Sequence, residues 1–175
     1  MTRTLLVLAV LAVFALLVLG MLRGWRRRQA EQAGLPPFPA PPADPGPELR
    51  TPVEGLYVGT VRAGDWQDRV VVGDVGHRAA AALHLHASGL LVEREGATPL
   101  WLPAGRIRGA RTARGLANKV VGRDGLLVVR WALGPGVEVD TGFRDEDPGR
   151  HGEWVTAVED VATGRNGGDD GEVAR

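Results

Sequence analysis

The chain reads as a mainly β domain, a seven-stranded barrel or sandwich capped by a C-terminal α-helix, preceded by one N-terminal transmembrane helix. Three observations carry this expectation. Leu5 to Leu22 is an uncharged apolar run. From Gly55 to Phe143, short Val- and Leu-rich runs are separated by Gly or Asp-Gly turn signals about every 8–14 residues, the spacing of an antiparallel barrel or sandwich. After Phe143 the apolar period becomes helical, with Trp154, Val158 and Val161 at i, i+4 and i+7.

The apolar run comes first. Its 18 residues at ~1.5 Å each span ~27 Å, close to a ~30 Å hydrocarbon core. A cleaved signal peptide wants basic charge before a shorter apolar stretch and a small-residue site after it. Here only Arg3 precedes, and Arg23, Arg26, Arg27 and Arg28 stand where that site would be. The positive-inside rule puts this flank in the cytoplasm. Residues 1–28 are therefore expected to be a single-pass cell-membrane anchor, N-terminus outside and the domain cytoplasmic. Trp25 has the position of an interfacial anchor, and its arginine neighbours attract anionic lipid headgroups.

Residues 29–52 read as a proline-rich linker. Eight of the 12 prolines fall between Pro36 and Pro52, which disfavours helix and sheet and favours an extended arm reaching up to ~70 Å. Residues 164–175 read as a disordered, acidic, Gly-rich tail. Residues 53–163 remain as one folded domain.

Within that domain the expected strands are Gly55–Arg62, Asp68–Asp74, Arg78–Ala87, Leu90–Glu95, Pro99–Leu102, Arg106–Thr112, Leu126–Ala132 and Val137–Phe143. Leu83 and Leu85 alternate with His84 and His86, the pattern of a half-buried strand. Leu126–Ala132 is the most apolar run and the expected centre. The closing helix starts near Asp147-Pro148 or His151 and stops at Gly164, with Trp154 facing inward as a plug.

Residues Gly59 to Val70 (GTVRAGDWQDRV), Gly115 to Gly122 (GLANKVVG), Gly125 to Val129 with Trp131, Asp140 to Arg144 (DTGFR) and Trp154 follow one another in an order that resembles the pleckstrin-homology (PH)-like membrane proteins of actinobacteria. The resemblance takes in the anchor and the domain but not the linker. It implies a PH-like barrel of two near-orthogonal sheets and a closing helix. It brings no catalytic residue with it, and relatives are labelled loosely as membrane or export proteins.

Zero Cys excludes a disulfide scaffold, a thiol nucleophile and thiolate metal sites. The 21 Lys+Arg balance 21 Asp+Glu, so the chain as a whole is neither a basic nucleic-acid binder nor an acidic solvating segment. The balance conceals unlike zones. Residues 96–123 hold Arg106, Arg108, Arg111, Arg114, Lys119 and Arg123 and no acid. Arg106 and Arg108 are expected on one strand face opposite Ile107. These six are the candidate anion- or partner-binding residues, unless acids elsewhere in the fold pair with them. Nucleic acid is not expected, because only Trp101 is near for stacking. The acidic tail is a candidate shield for this patch.

His84 and His86 could share a metal, but no third ligand is spaced nearby, so solvent-face histidines are expected and no metal. Arg62 and Arg69 alternate with Asp65 and Asp68 around Trp66, which suits a local ion-pair network better than an inositol-phosphate cradle. Gly115–Gly122 lacks the Walker pattern. Ser88 lacks a nucleophile elbow. His151 near Glu153 suits a helix start, as do the consecutive acids Asp145, Glu146 and Asp147. No enzyme activity and no cofactor are expected. The expected function is a non-catalytic binding or scaffold module for anionic lipid or a protein partner at the membrane; the alternative is an accessory subunit of a membrane export or transport complex.

Overall fold

The computed structural model describes residues 2–32, 34–65, 67–116, 119–120, 125–145 and 147–165. The chain forms two compact units, 1–34 and 35–175. The first is one helix, α1 (Thr2–Gln32). Most of its described apolar side chains, Val10, Leu11, Phe14 and Leu17 among them, are exposed. Among the described residues no helix is long and apolar enough to cross a membrane. The transmembrane helix expected over Leu5–Leu22 is therefore not shown. Its backbone is helical, but the side chains of residues 5, 6, 8 and 9 lie outside the described part. The apolar part of the unbroken run with described side chains, residues 10–22, is only ~20 Å long at ~1.5 Å per residue.

The second unit is built on β1 (Val53–Arg62), β2 (Ala79–His86), β3 (Gly89–Arg94), β4 (Leu100–Pro103), β5 (Ile107–Ala113), β8 (Leu126–Gly134) and β9 (Val137–Asp145), with a small ribbon of β6 (Gly115–Leu116) and β7 (Lys119–Val120). The seven longer strands form one antiparallel sheet in the order β4-β3-β2-β1-β9-β8-β5. A short turn of helix, Ala104–Arg106, joins the two strands at the ends of that order. The closing helix α2 (His151–Thr163) ends at Gly164, whose left-handed φ of 70° lets the chain turn away.

Period-two alternation explains the core. Tyr57, Leu83, Leu85, Leu90, Leu127, Val129, Trp131, Val139 and Phe143 face inward and form one buried cluster with Trp154, Val158 and Val161 of α2. The polar atoms of Trp131, Thr141, Thr60 and Tyr57 in the core are paired. Trp131 Nε1 donates to Thr141 Oγ1 at 3.0 Å, Thr141 meets Thr60 at 3.1 Å, and Tyr57 contacts Thr60 and donates to the Val75 carbonyl, both at 2.9 Å. Burial pushes the Tyr57 phenol up to about 12.

The strand expected at Asp68–Asp74 is absent. One bridge, Val61 to Arg69, stands in its place, followed by turns. Gly73 and Asp74 have φ of 66° and 57°, which no strand accommodates. Arg69 supports the segment by donating to the Val58 and Gly76 carbonyls at 3.0 and 2.9 Å. Asp74 then meets Arg94, which is buried despite its charge. Arg94 forms an ion pair with the Asp74 carboxylate, donates to the Asp74 and Thr98 carbonyls, and lies 4.9 Å from the Tyr57 ring centroid. Desolvation alone would raise the Asp74 pKa; the Thr98 N–H and the Arg94 guanidinium outweigh it and hold the carboxyl below its ordinary value.

The proline-rich stretch also differs from the expectation. From Leu35 on it belongs to the folded unit and packs against the barrel as a strap. Leu35 and Phe38 join the edge of the core. A Cβ at Gly134 would meet Pro36 at 2.5 Å, so that glycine makes room for the strap. Farther along, Ser88 Oγ donates to the Pro45 carbonyl at 2.6 Å, His86 Nδ1 to the Gly46 carbonyl at 2.9 Å, and Leu49 N–H to the Leu85 carbonyl at 2.8 Å. Arg50 bonds the Glu153 carboxylate at 2.8 Å and lies 5.7 Å from the Trp154 ring. Prolines give no strand ladder, but they expose carbonyls, and side chains of the domain take them up.

Candidate functional site

The outer face carries a second, smaller apolar cluster on β1 and β8 and then a band of charge on β9, β8 and β5. Val58, Val61, Leu126 and Val128 are covered by Leu116 of the β6–β7 ribbon. Gly142 lets the ribbon approach, since a Cβ there would meet Leu116 Cδ2 at 2.5 Å. Beside this cluster lies Asp140, only 3% exposed.

Asp140 is directly opposite Arg130 across the β8–β9 pair. Arg130 donates Nε and Nη2 to its two oxygens at 2.8 and 3.0 Å, and Arg111 donates Nη2 to Oδ2 at 2.9 Å. Desolvation is the largest influence on Asp140 and acts to raise its pKa. The bonds from Arg130 and Arg111 outweigh it and hold the carboxyl below the usual carboxylate range. The same hydrogen bond raises the Arg130 pKa. One carboxylate against two guanidiniums leaves one positive charge. Both arginine side chains keep substantial exposure, 45% for Arg111 and 38% for Arg130. The buried carboxylate thus holds two forked donors in place while their free N–H groups face water.

The candidate residues separate. Arg106 is in the helical turn rather than on the strand face with Arg108, and it donates to the Leu133 carbonyl at 3.1 Å. A bulge between Ile107 and Gly109 shifts the register of β5. Arg108 and Arg111, three apart, would otherwise face opposite ways. With the bulge both reach acids on one face of β9: Arg111 meets Asp140, and Arg108 Nε lies 3.9 Å from Glu138. The latter pair is half-exposed and loose, and so contributes little. Arg114 is exposed. Lys119 lies on β7 with its side chain outside the described residues, where Arg123 also falls. The six cations are therefore partly compensated by acids some 30 residues away in the chain. Arg130, which completes the cluster, was missed because it lies in the most apolar strand. Its alternation with Val129 and Trp131 was the available signal.

At the membrane flank, Arg23 and Arg26 are exposed on α1. The side chains of Trp25, Arg27 and Arg28 lie outside the described residues, as do Trp66 and the tail from residue 166. At the first hairpin Arg62 pairs with Asp68 at 3.2 Å, while Asp65 accepts the Gln67 N–H at 2.9 Å. His84 Nδ1 meets Glu48 at 2.7 Å and His86 is turned to the strap. Among the described residues no group of three or more His, Asp or Glu side chains converges on a metal position. Glu153 is engaged by Arg50, and His151 is buried at the start of α2.

The sheet order, with one C-terminal helix closing the barrel, defines a PH-like domain. A family model described as "Bacterial PH domain-like" matches residues 35–159. The chain belongs to this family, and the match includes the strap. No curated protein matches the chain. Among solved structures, "The 8S snRNP Assembly Intermediate" aligns at 7% identity and TM-score 0.47, covering 79% of this chain and 97% of that one. "Crystal Structure of L. pealei PLC21" aligns at 13% identity and TM-score 0.46, covering 74% of this chain and 17% of that one. At these scores neither likeness carries an argument about function. PH-like domains are in general non-catalytic modules that bind lipids or proteins.

Proposed function

We propose that the chain is a membrane-anchored binding module whose PH-like domain engages anionic headgroups on the cytoplasmic side through the guanidinium face of β5 and β8. The observation that carries this reading is the Asp140 cluster, which holds Arg111 and Arg130 as a fixed, partly exposed pair. Ordering two long side chains in advance lowers the entropic cost of binding, and guanidiniums suit phosphate oxygens better than ammonium groups do. Arg108 and Arg114 extend the face, and Lys119 of the ribbon and Arg123, which follows it in sequence, add charge. Leu5–Leu22 supplies the anchor, with Arg23, Arg26, Arg27 and Arg28 as the cytoplasmic flank and Trp25 at the interface. The proline-rich stretch serves the domain as a strap rather than as a spacer.

The test is flotation of residues 35–175 with vesicles of phosphatidylglycerol in phosphatidylcholine at low salt. Binding should rise with the anionic fraction and fall with salt. Arg108→Glu with Arg114→Glu, neither of which has a tight acid partner, should weaken it about tenfold without changing the melting temperature. Equal binding to neutral and anionic vesicles, or to neither, sinks the reading.

A further inference from the structure

Arg111 and Arg130 both place Nη2 within 3.0 Å of the same Asp140 oxygen, Oδ2. The two nitrogens are therefore at most ~6 Å apart, close enough for outward N–H groups of both guanidiniums to reach neighbouring oxygens of one phosphate. Arg130 commits Nε and Nη2 to Asp140, and Arg111 commits Nη2 alone. Arg130 Nη1 and Arg111 Nε and Nη1 meet no protein acceptor among the described residues. Gly109 is opposite Arg130 on β5, and a Cβ there would meet nothing within 4 Å, so the outer edge of the cluster is open.

Asp140 fixes the charge of the cluster as well as its shape. It is 3% exposed, and its carboxyl is held below the usual range, so it stays ionised at neutral pH. With one net positive charge, the cluster matches a ligand group with one negative charge. A second negative charge on the same phosphate would lie close to the buried Asp140 carboxylate, where protein screens charge less than water does. Arg108 does not offset that repulsion in full: it is shared with Glu138 at 3.9 Å and bonds the Gly105 carbonyl at 3.1 Å. Arg114 stands three residues, ~10 Å of extended chain, beyond Arg111.

We infer, resting on the anion-binding reading above, that this face recognises the singly charged phosphodiester of a lipid headgroup and discriminates against a doubly charged phosphate monoester. Arg111 and Arg130 each donate to one of the two non-bridging oxygens of the diester. Asp140 is a positioning residue for both guanidiniums and repels excess charge, so selectivity comes from a built-in repulsion as well as from attraction. A nucleic-acid backbone is also a chain of singly charged diesters, but single strands bind through aromatic surfaces that stack their bases. The described Tyr57, Trp101, Trp131, Phe143 and Trp154 are all buried.

The test uses the 35–175 unit, which carries both apolar clusters of the fold. Phosphatidylcholine vesicles contain an equal mole fraction of either phosphatidylglycerol, a diester, or phosphatidic acid, a monoester. The monoester carries about two charges at pH 8.5 and about one at pH 5. At pH 8.5 phosphatidylglycerol vesicles should be bound about threefold more tightly, although the phosphatidic acid surface is the more charged. At pH 5 the two should bind alike. Arg111→Lys keeps the charge but loses the fork, and it should weaken phosphatidylglycerol binding about fivefold. Asp140→Asn should abolish the preference at pH 8.5. Near-ultraviolet circular dichroism checks that each variant is folded; if Asp140→Asn is not, the pH dependence and Arg111→Lys decide. Four results overturn the inference while leaving the anion-binding reading in place. They are equal or tighter binding of phosphatidic acid at pH 8.5, a preference unchanged at pH 5, undiminished binding by Arg111→Lys, and displacement from phosphatidylglycerol vesicles by single-stranded RNA at equal phosphate concentration. Binding to no anionic vesicle overturns both.

Discussion

The ring of Phe38 sits 6.0 Å from that of Trp131, tilted by 55°. Trp131 is fully buried at the inner face of β8, so Phe38 closes the barrel over it. A phenylalanine lost from a full core costs about 3–5 kcal/mol. Phe38 is only half-buried, so Phe38→Ala is expected to cost about half of that. Chemical denaturation of the 35–175 unit measures it, and near-ultraviolet circular dichroism should report a changed Trp131 environment. A cost near zero with an unchanged spectrum would show that the strap is not part of the cooperative fold.

The Arg94–Asp74 pair makes an ordered prediction. The Arg94 side chain is 2% exposed and that of Asp74 38%. Asp74→Ala strands a desolvated guanidinium and should cost about 3 kcal/mol. Arg94→Met keeps the apolar stem and leaves Asp74 able to regain water, so about 1–2 kcal/mol is expected. The reverse order in urea unfolding would contradict the view that burial of the guanidinium sets the cost.

Acid should destabilise the domain late. Asp74 and Asp140 both sit below their ordinary value of 3.8. A depressed folded-state pKa contributes stability that is present above the unfolded value and is lost as pH falls through the folded one. Unfolding free energy should stay level from neutral pH to about pH 5 and decline below about pH 4. Asp140→Asn should make that decline shallower. Urea titrations across this range decide it, and a fall already beginning near pH 6 would count against these two carboxylates as the cause.

The chain has one tyrosine, so its ionisation can be followed without overlap. Tyr57 is pushed up to about 12 by burial. The sign is opposite to the aspartates: stability is intact below pH ~10 and is lost as pH rises through the folded value. Tyrosinate absorbance should therefore appear about two pH units late and together with unfolding. A midpoint near 10 with the fold intact would mean that the phenol is not buried.

The seven longer strands, the closing helix and the inward Trp154 were legible in the sequence because each buries one face, and a buried face leaves a period of two or of 3.6 in the residues. The amphipathic run from Trp154 to Val161 and the alternation at Leu83 and Leu85 needed no distant partner to be read. Interactions set by distant partners were decided only in three dimensions. The positive patch at 106–114 lost part of its charge to Asp140, which is 29 residues from Arg111. Asp68–Asp74 had the composition of a strand, yet the demands of Arg94 and of φ at Asp74 made it a turn. The proline-rich stretch had no period at all, because its carbonyls and its Phe38 ring are matched to side chains rather than to a repeating ladder. Local pattern reports which face is buried; only the folded sheet with its closing helix decides what each buried or exposed charge meets.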